Sequence, residues 1–145
     1  METKDLMIGN WVLHEGEPYQ IRQLGIFGEN RDGEDYPAVC VGKPKGVGLI
    51  VEINEIKPIP ITQEILEKNG FVANKHVYPY PYYEYEEKGK LKVGFAFPQG
   101  NRTSYKEPWV YIDSEYAFAE HLPCMYVHQL QQALKLCRIK KEIIL

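Results

Sequence analysis

Short stretches in which apolar and polar residues alternate with a period of two recur along the chain, and a helical period marks the stretch from Tyr126 to Cys137. Asn10-Trp11-Val12-Leu13-His14 reads as a first strand, and Glu15-Gly16-Glu17-Pro18 as the turn that ends it. Tyr19-Gln20-Ile21-Arg22-Gln23-Leu24 alternates, which sets Tyr19, Ile21 and Gln23 on one face. Gly25, Gly28 and Gly33, with Asn30 and Asp32, predict a loop from 26 to 36. Ala38-Val39-Cys40-Val41 is a short β-branched run. Lys43-Pro44-Lys45-Gly46 breaks it, and Gly48-Leu49-Ile50-Val51-Glu52-Ile53 resumes it. Short strands punctuated by glycine and proline, with no helical pattern between them, predict an SH3-like small β-barrel, partly closed, over residues 1–60.

Ile56-Lys57-Pro58-Ile59-Pro60 is an extended connector, because a residue before proline is pushed out of the helical region. Helix punctuation follows. Thr62 is a good N-cap, Glu64 puts a carboxylate in the first turn, and Ile61 can staple onto Leu66. Asn69-Gly70 stops the helix after about two turns, with Phe71 folding back on Leu66. Val77-Tyr78-Pro79-Tyr80-Pro81-Tyr82-Tyr83-Glu84-Tyr85 is extended, and its prolines confine it to an edge or a strand start. Leu91, Val93, Phe95 and Phe97 share one face of a core strand, and Pro108-Trp109-Val110-Tyr111-Ile112 predicts another. Pro123 is expected to open a final helix. On that helix Tyr126, Val127, Leu130, Ala133, Leu134 and Cys137 span about a third of the circumference, and His128, Gln131, Gln132 and Lys135 lie opposite. Residues 139–145 are expected to return as a last strand. The whole reads as a single α+β domain, 1–145. Its first part, 1–60, is the SH3-like unit, and 61–145 supplies a short helix, an antiparallel sheet and a C-terminal helix.

Composition narrows the function classes. Net charge is −3, which leaves little surplus to neutralise phosphates, so nucleic acid is disfavoured as a partner. The two basic runs, Lys43-Pro44-Lys45 and Arg138-Ile139-Lys140-Lys141, are short and read as solvated charge. Three cysteines without a CxxC pair fit reduced thiols and a cytoplasmic protein better than a secreted disulfide framework. No basic leader with an apolar core precedes the first strand, and no window is apolar enough to span a membrane.

Candidate chemistry is sparse. His121, Cys124 and His128 form an H-x2-C-x3-H cluster, the one spacing here that resembles a metal site. On a helix Cys124 and His128 would lie one turn apart, but no fourth ligand is evident. A Cys124–histidine nucleophile lacks an identifiable oxyanion hole, and the pairs Glu84/Glu86 and Asp113/Glu115 read as solvated strand charge. There is no phosphate-binding glycine loop. No metal, cofactor or catalytic residue is therefore assigned. Tyr80, Tyr82, Tyr83 and Tyr85 offer the best binding surface, with core or edge packing as the first reading and a protein interface as the second. His128, Gln132 and Lys135 make a second candidate contact face.

Three segments carry a resemblance: Leu6-Met7-Ile8-Gly9-Asn10-Trp11-Val12, Ile56-Lys57-Pro58-Ile59-Pro60-Ile61-Thr62 through Gly70-Phe71, and Tyr126-Val127-His128-Gln129-Leu130-Gln131. In that order they resemble a family of short uncharacterised proteins of bacterial genomes, prophages and mobile elements that share a "YVHQLQ"-type helix motif. Family members follow the motif with a glycine-containing turn, whereas this chain continues Gln132-Ala133-Leu134-Lys135-Leu136-Cys137. The resemblance implies a cytoplasmic, prophage-linked accessory protein and brings no catalytic residues. The expectation is a non-enzymatic binding or adaptor protein whose partner is another protein, with oligomer formation left open. The alternative is a nucleic-acid-associated factor using the small barrel.

Overall fold

Glu15 and Gly16 both take left-handed backbone, with φ of 50° and 82°. This two-residue turn has the twist that antiparallel strands need. It joins β1 (Trp11–His14) to β2 (Glu17–Glu29), so Glu17 and Pro18 belong to the strand rather than to the turn. The computed structural model describes residues 5–29, 32–74, 82–87, 92–97, 107–113 and 121–145. The chain forms two compact units, Met1–Ile59 and Pro60–Leu145.

In the first unit β3 (Asp35–Gly42), β4 (Gly48–Glu52) and β5 (Ile56–Pro58) complete a five-stranded sheet in the order β4-β3-β2-β1-β5. Every neighbouring pair is antiparallel. β2 pairs with β1 through its first residues and with β3 through the rest, and its register shifts between Ile21 and Gln23 and again before Ile26. Each shift lets one strand bend and serve two neighbours. It also ends the simple alternation: Ile21 is buried, but Gln23 faces solvent. Within the expected loop at 26–36, residues 26–29 and 35–36 are strand instead. Gly25, at φ 68°, lies in the shifted stretch, and the Tyr36 ring lies over Gly28 so closely that a Cβ there would sit 2.2 Å from it. The glycines serve a bent, ring-covered strand. Leu6, Val12, Ile21, Val39, Val41, Val51 and Ile56 form the core. β4 and β5 stay at opposite margins, so among the described residues the sheet is open and no closed barrel forms.

The second unit opens on α1 (Gln63–Lys68), capped as its sequence dictates. Thr62 Oγ1 accepts from the Ile65 N–H at 3.2 Å. At the other end Gly70, at φ 76°, and Phe71 return their N–H groups to the carbonyls of Glu67 and Leu66 at 2.9 and 3.0 Å. This is the Schellman ending. β6 (Val72–Ala73), β7 (Tyr82–Tyr85), β8 (Lys92–Ala96), β9 (Trp109–Asp113) and β10 (His121–Pro123) form an antiparallel sheet in the order β10-β9-β8-β7-β6. Val93 and Phe95 are buried on one face, and Tyr82, Ala96 and Trp109 cluster on the other. Gly94 is needed there because the Tyr82 hydroxyl lies where its Cβ would be.

Helix α2 (Val127–Leu136) starts later than expected. Pro123 ends β10 instead of opening the helix, and the Gln129 side chain accepts from the N–H groups of Met125 and Tyr126 at 2.8 and 3.1 Å. The two helix entries are tied together: Pro60 bridges Tyr126, and the Ile61 N–H donates to the Met125 carbonyl at 3.0 Å. Residues 139–145 do not form the expected strand. The buried Asn69 side chain occupies their main chain instead, donating to the Ile144 carbonyl at 2.7 Å and accepting from the Ile144 N–H at 2.8 Å. Ile139 and Ile143 are buried along this segment. Among the described residues no helix is long and apolar enough to cross a membrane.

Candidate functional site

The helical pairing of Cys124 with His128 is not realised. Cys124 lies in the non-helical link between β10 and α2, where its N–H donates to the Pro108 carbonyl at 2.9 Å. Only His128 is on the helix. Cys124 is buried, and burial pushes its thiol up to about 12, so at neutral pH it is protonated and a poor nucleophile or ligand. The His121 side chain lies outside the described residues. Among those described, no three His, Cys, Asp or Glu side chains gather as metal ligands would.

The tyrosine candidates divide. Tyr80 lies outside the described residues. Tyr82 and Tyr83 are buried. Tyr82 joins the Trp109 cluster, and the Tyr83 hydroxyl donates to Glu67 Oε1 at 3.1 Å. Burial first, and that carboxylate second, raise the Tyr83 phenol above its ordinary range. Tyr85 is half-buried between the Phe71 ring, 5.2 Å away, and the Lys141 ammonium, 5.2 Å from the ring centre. Tyr82, Tyr83 and Tyr85 therefore pack against their own unit.

His128 does not lie on an exposed face of α2. It is 3% exposed, and the Tyr126 ring stacks on it with an interplanar angle of 8°. A helical wheel assumes helix on both sides. In this first turn, the incoming chain around Tyr126 covers the side opposite the stripe. Gln132 is half-buried, and Lys135 alone of the three is exposed. Of the basic runs, Lys43 pairs with Glu17 at 3.3 Å in a solvated position. Tyr126 through Leu130, the core of the helix motif, is thus engaged in starting and burying α2.

The feature that stands open is β4. Its residues form one margin of the first sheet, and no other described strand pairs with their outer side. The Ile53 N–H donates to the Pro37 carbonyl at 3.2 Å, which fixes the alternation. Val51 and Leu49 direct their main-chain groups towards β3, and Glu52, Ile50 and Gly48 direct theirs outward. Glu55 Oε2 takes the Glu52 N–H at 3.0 Å, closing that end of the margin. Gly48 and Ile50 remain as the outward-facing pair. Val47, Leu49 and Ile50 beside them are 93%, 45% and 57% exposed. Gly48 has no side chain because Cys40 Sγ fills the space, 2.8 Å from where a Cβ would stand.

The other three margins are blunted. β5 spans three residues and ends in Pro58, β6 spans two, and β10 spans three and ends in Pro123. β4 spans five residues and carries no proline, and its first charged side chain is Glu52. Exposed strand edges are normally shortened, charged or interrupted by proline, because they template pairing with other chains. β4 breaks that rule. Sequence reasoning missed it because Gly48-Leu49-Ile50-Val51 reads as a strand without saying that it lies at a margin. The available signal was the lack of alternation: Ile50 is apolar on the face opposite the one that Leu49 and Val51 share.

The chain matches no family model, no curated protein and no solved structure.

Proposed function

We propose that this is a non-enzymatic binding or adaptor protein that acts by holding a strand of another polypeptide chain along the outer side of β4. The observation that carries the reading is the unprotected margin at Gly48–Ile50, flanked by exposed Val47 and Leu49. A partner strand laid there gains main-chain hydrogen bonds to Gly48 and Ile50 and covers apolar side chains that water now faces. This is recognition by strand addition. The order β4-β3-β2-β1-β5, with a long bulged β2 serving two neighbours, supports reading the first unit as a small open relative of the SH3-like architecture. The resemblance of the three sequence segments supports a cytoplasmic, prophage- or mobile-element-linked setting. Nothing favours the nucleic-acid alternative. The net charge is −3, and Lys43 of the first basic run is engaged with Glu17.

Site-specific photo-crosslinking in the source cells tests the reading. A photoreactive phenylalanine in place of Ile50 is expected to give protein adducts that the same group in place of Val72, exposed on β6, does not give. Absence of any adduct from position 50, or the same adducts from both positions, overturns it.

A further inference from the structure

Resting on that reading, we infer that the strand β4 accepts is β4 of a second copy of this chain, paired antiparallel about a twofold axis through Leu49. The main chain selects this register. With Gly48 opposite Ile50 of the other copy, both residues use the groups they turn outward, giving four intermolecular N–H···O bonds in all. Shifting the axis to Ile50 would bring Gly48 opposite Glu52, whose N–H is already held by Glu55. The side chains fit the same register. Leu49 meets its own copy at the axis, where side chains of a non-hydrogen-bonded pair approach closest. Ile50 settles over Gly48 of the other copy, beside the Cys40 sulfur that occupies the space above that glycine.

Charge selects the direction. The turn entering β4 carries exposed Lys45, and the last residue of the strand and the turn leaving it carry Glu52 and Glu55. Antiparallel pairing lays each lysine turn against the glutamate turn of the other copy. Parallel pairing would put like charges together. Glu52 is held in place for this, since its Oε2 accepts from Asn54 Nδ2 at 3.0 Å. A two-strand seam is smaller than a standard stable interface, so association is expected in the range of roughly 10–500 µM protein.

Sedimentation velocity of the full chain across that range is the test, with amide exchange read at Gly48 and Ile50. The expected result is a concentration-dependent dimer and slower exchange at those two amides. Ile50→Pro removes an N–H that points away from β3 and is expected to give a monomer throughout. Should that variant unfold, charge exchange decides. Lys45→Glu and Glu52→Lys are each expected to weaken association about tenfold, and an equimolar mixture of the two restores it by rejoining opposite charges. A monomer at about 500 µM, or a dimer indifferent to both manipulations, overturns the inference. Self-pairing that fails while position 50 still crosslinks to a different protein removes the second copy and leaves the docking margin standing.

Discussion

Asn69 shows how much one side chain can hold. Its amide donates to the Ile65 carbonyl at 2.8 Å and makes two further bonds with the main chain of Ile144, 75 residues away. Burial raises the stakes, because a buried polar group left without its partner costs about 1–3 kcal/mol. Asn69→Ala is expected to destabilise the protein by about 2–4 kcal/mol in urea unfolding. Asn69→Asp should cost at least as much, since it loses both donors and sets a charge against two carbonyls. A loss under about 1 kcal/mol for both variants would refute the clamp. The sequence makes Asn69 legible as a turn residue before Gly70, a local property of its backbone. Its role in holding residue 144 is not legible, because nothing near position 69 encodes a partner so distant. His128 fails for the opposite reason: its neighbours are close, but a wheel drawn over 126–137 presumes a turn of helix that begins only at Val127.

Elements are legible to the extent that their signals are local. Thr62, Glu64, Asn69-Gly70 and Phe71 mark both ends of α1, and the bonds at each end form as those residue types require. A six-residue helix has few internal bonds, so its caps weigh heavily. Thr62→Ala is expected to cost about 0.5–2 kcal/mol, and Thr62→Ser a few tenths. Gln129→Ala leaves the N–H groups of Met125 and Tyr126 without their acceptor, with an expected loss of about 1–2 kcal/mol. Equal unfolding midpoints for Thr62→Ser and Thr62→Ala would remove the hydroxyl from the account. β2 lies beyond this kind of reading. Its length and its two register shifts come from pairing with β1 and β3 at once, a condition set by the sheet. The same holds for β4: an apolar strand is written in residues 48–51, whereas its place at a margin is decided by which strands its neighbours have already taken.

At the scale of the molecule, four titratable groups of the second unit are raised above their ordinary values. Burial raises the thiols of Cys124 and Cys137, and burial with the neighbouring carboxylates of Glu67 and Glu87 raises the phenols of Tyr83 and Tyr85. Each group is neutral at pH 7 in both states, so none adds a pH dependence there. Above its ordinary value the unfolded chain releases the proton while the native chain keeps it, and stability falls as pH rises. For Cys124 the decline begins near its ordinary 9.0 and runs until its native value of about 12 is passed. The slope contributed by one such group is about 1.4 kcal/mol per pH unit. The contribution of these groups to stability in urea unfolding is therefore expected to be flat from about pH 7 to 8 and to weaken progressively above 9. Cys124→Ala should start from lower stability because it leaves a void, yet show the shallower alkaline decline. Parallel slopes for the two proteins would show that the thiol is not held protonated by burial. The same protonation governs reactivity. Native protein treated with iodoacetamide near pH 8 should be alkylated at half-buried Cys40 and spared at Cys124 until urea exposes it.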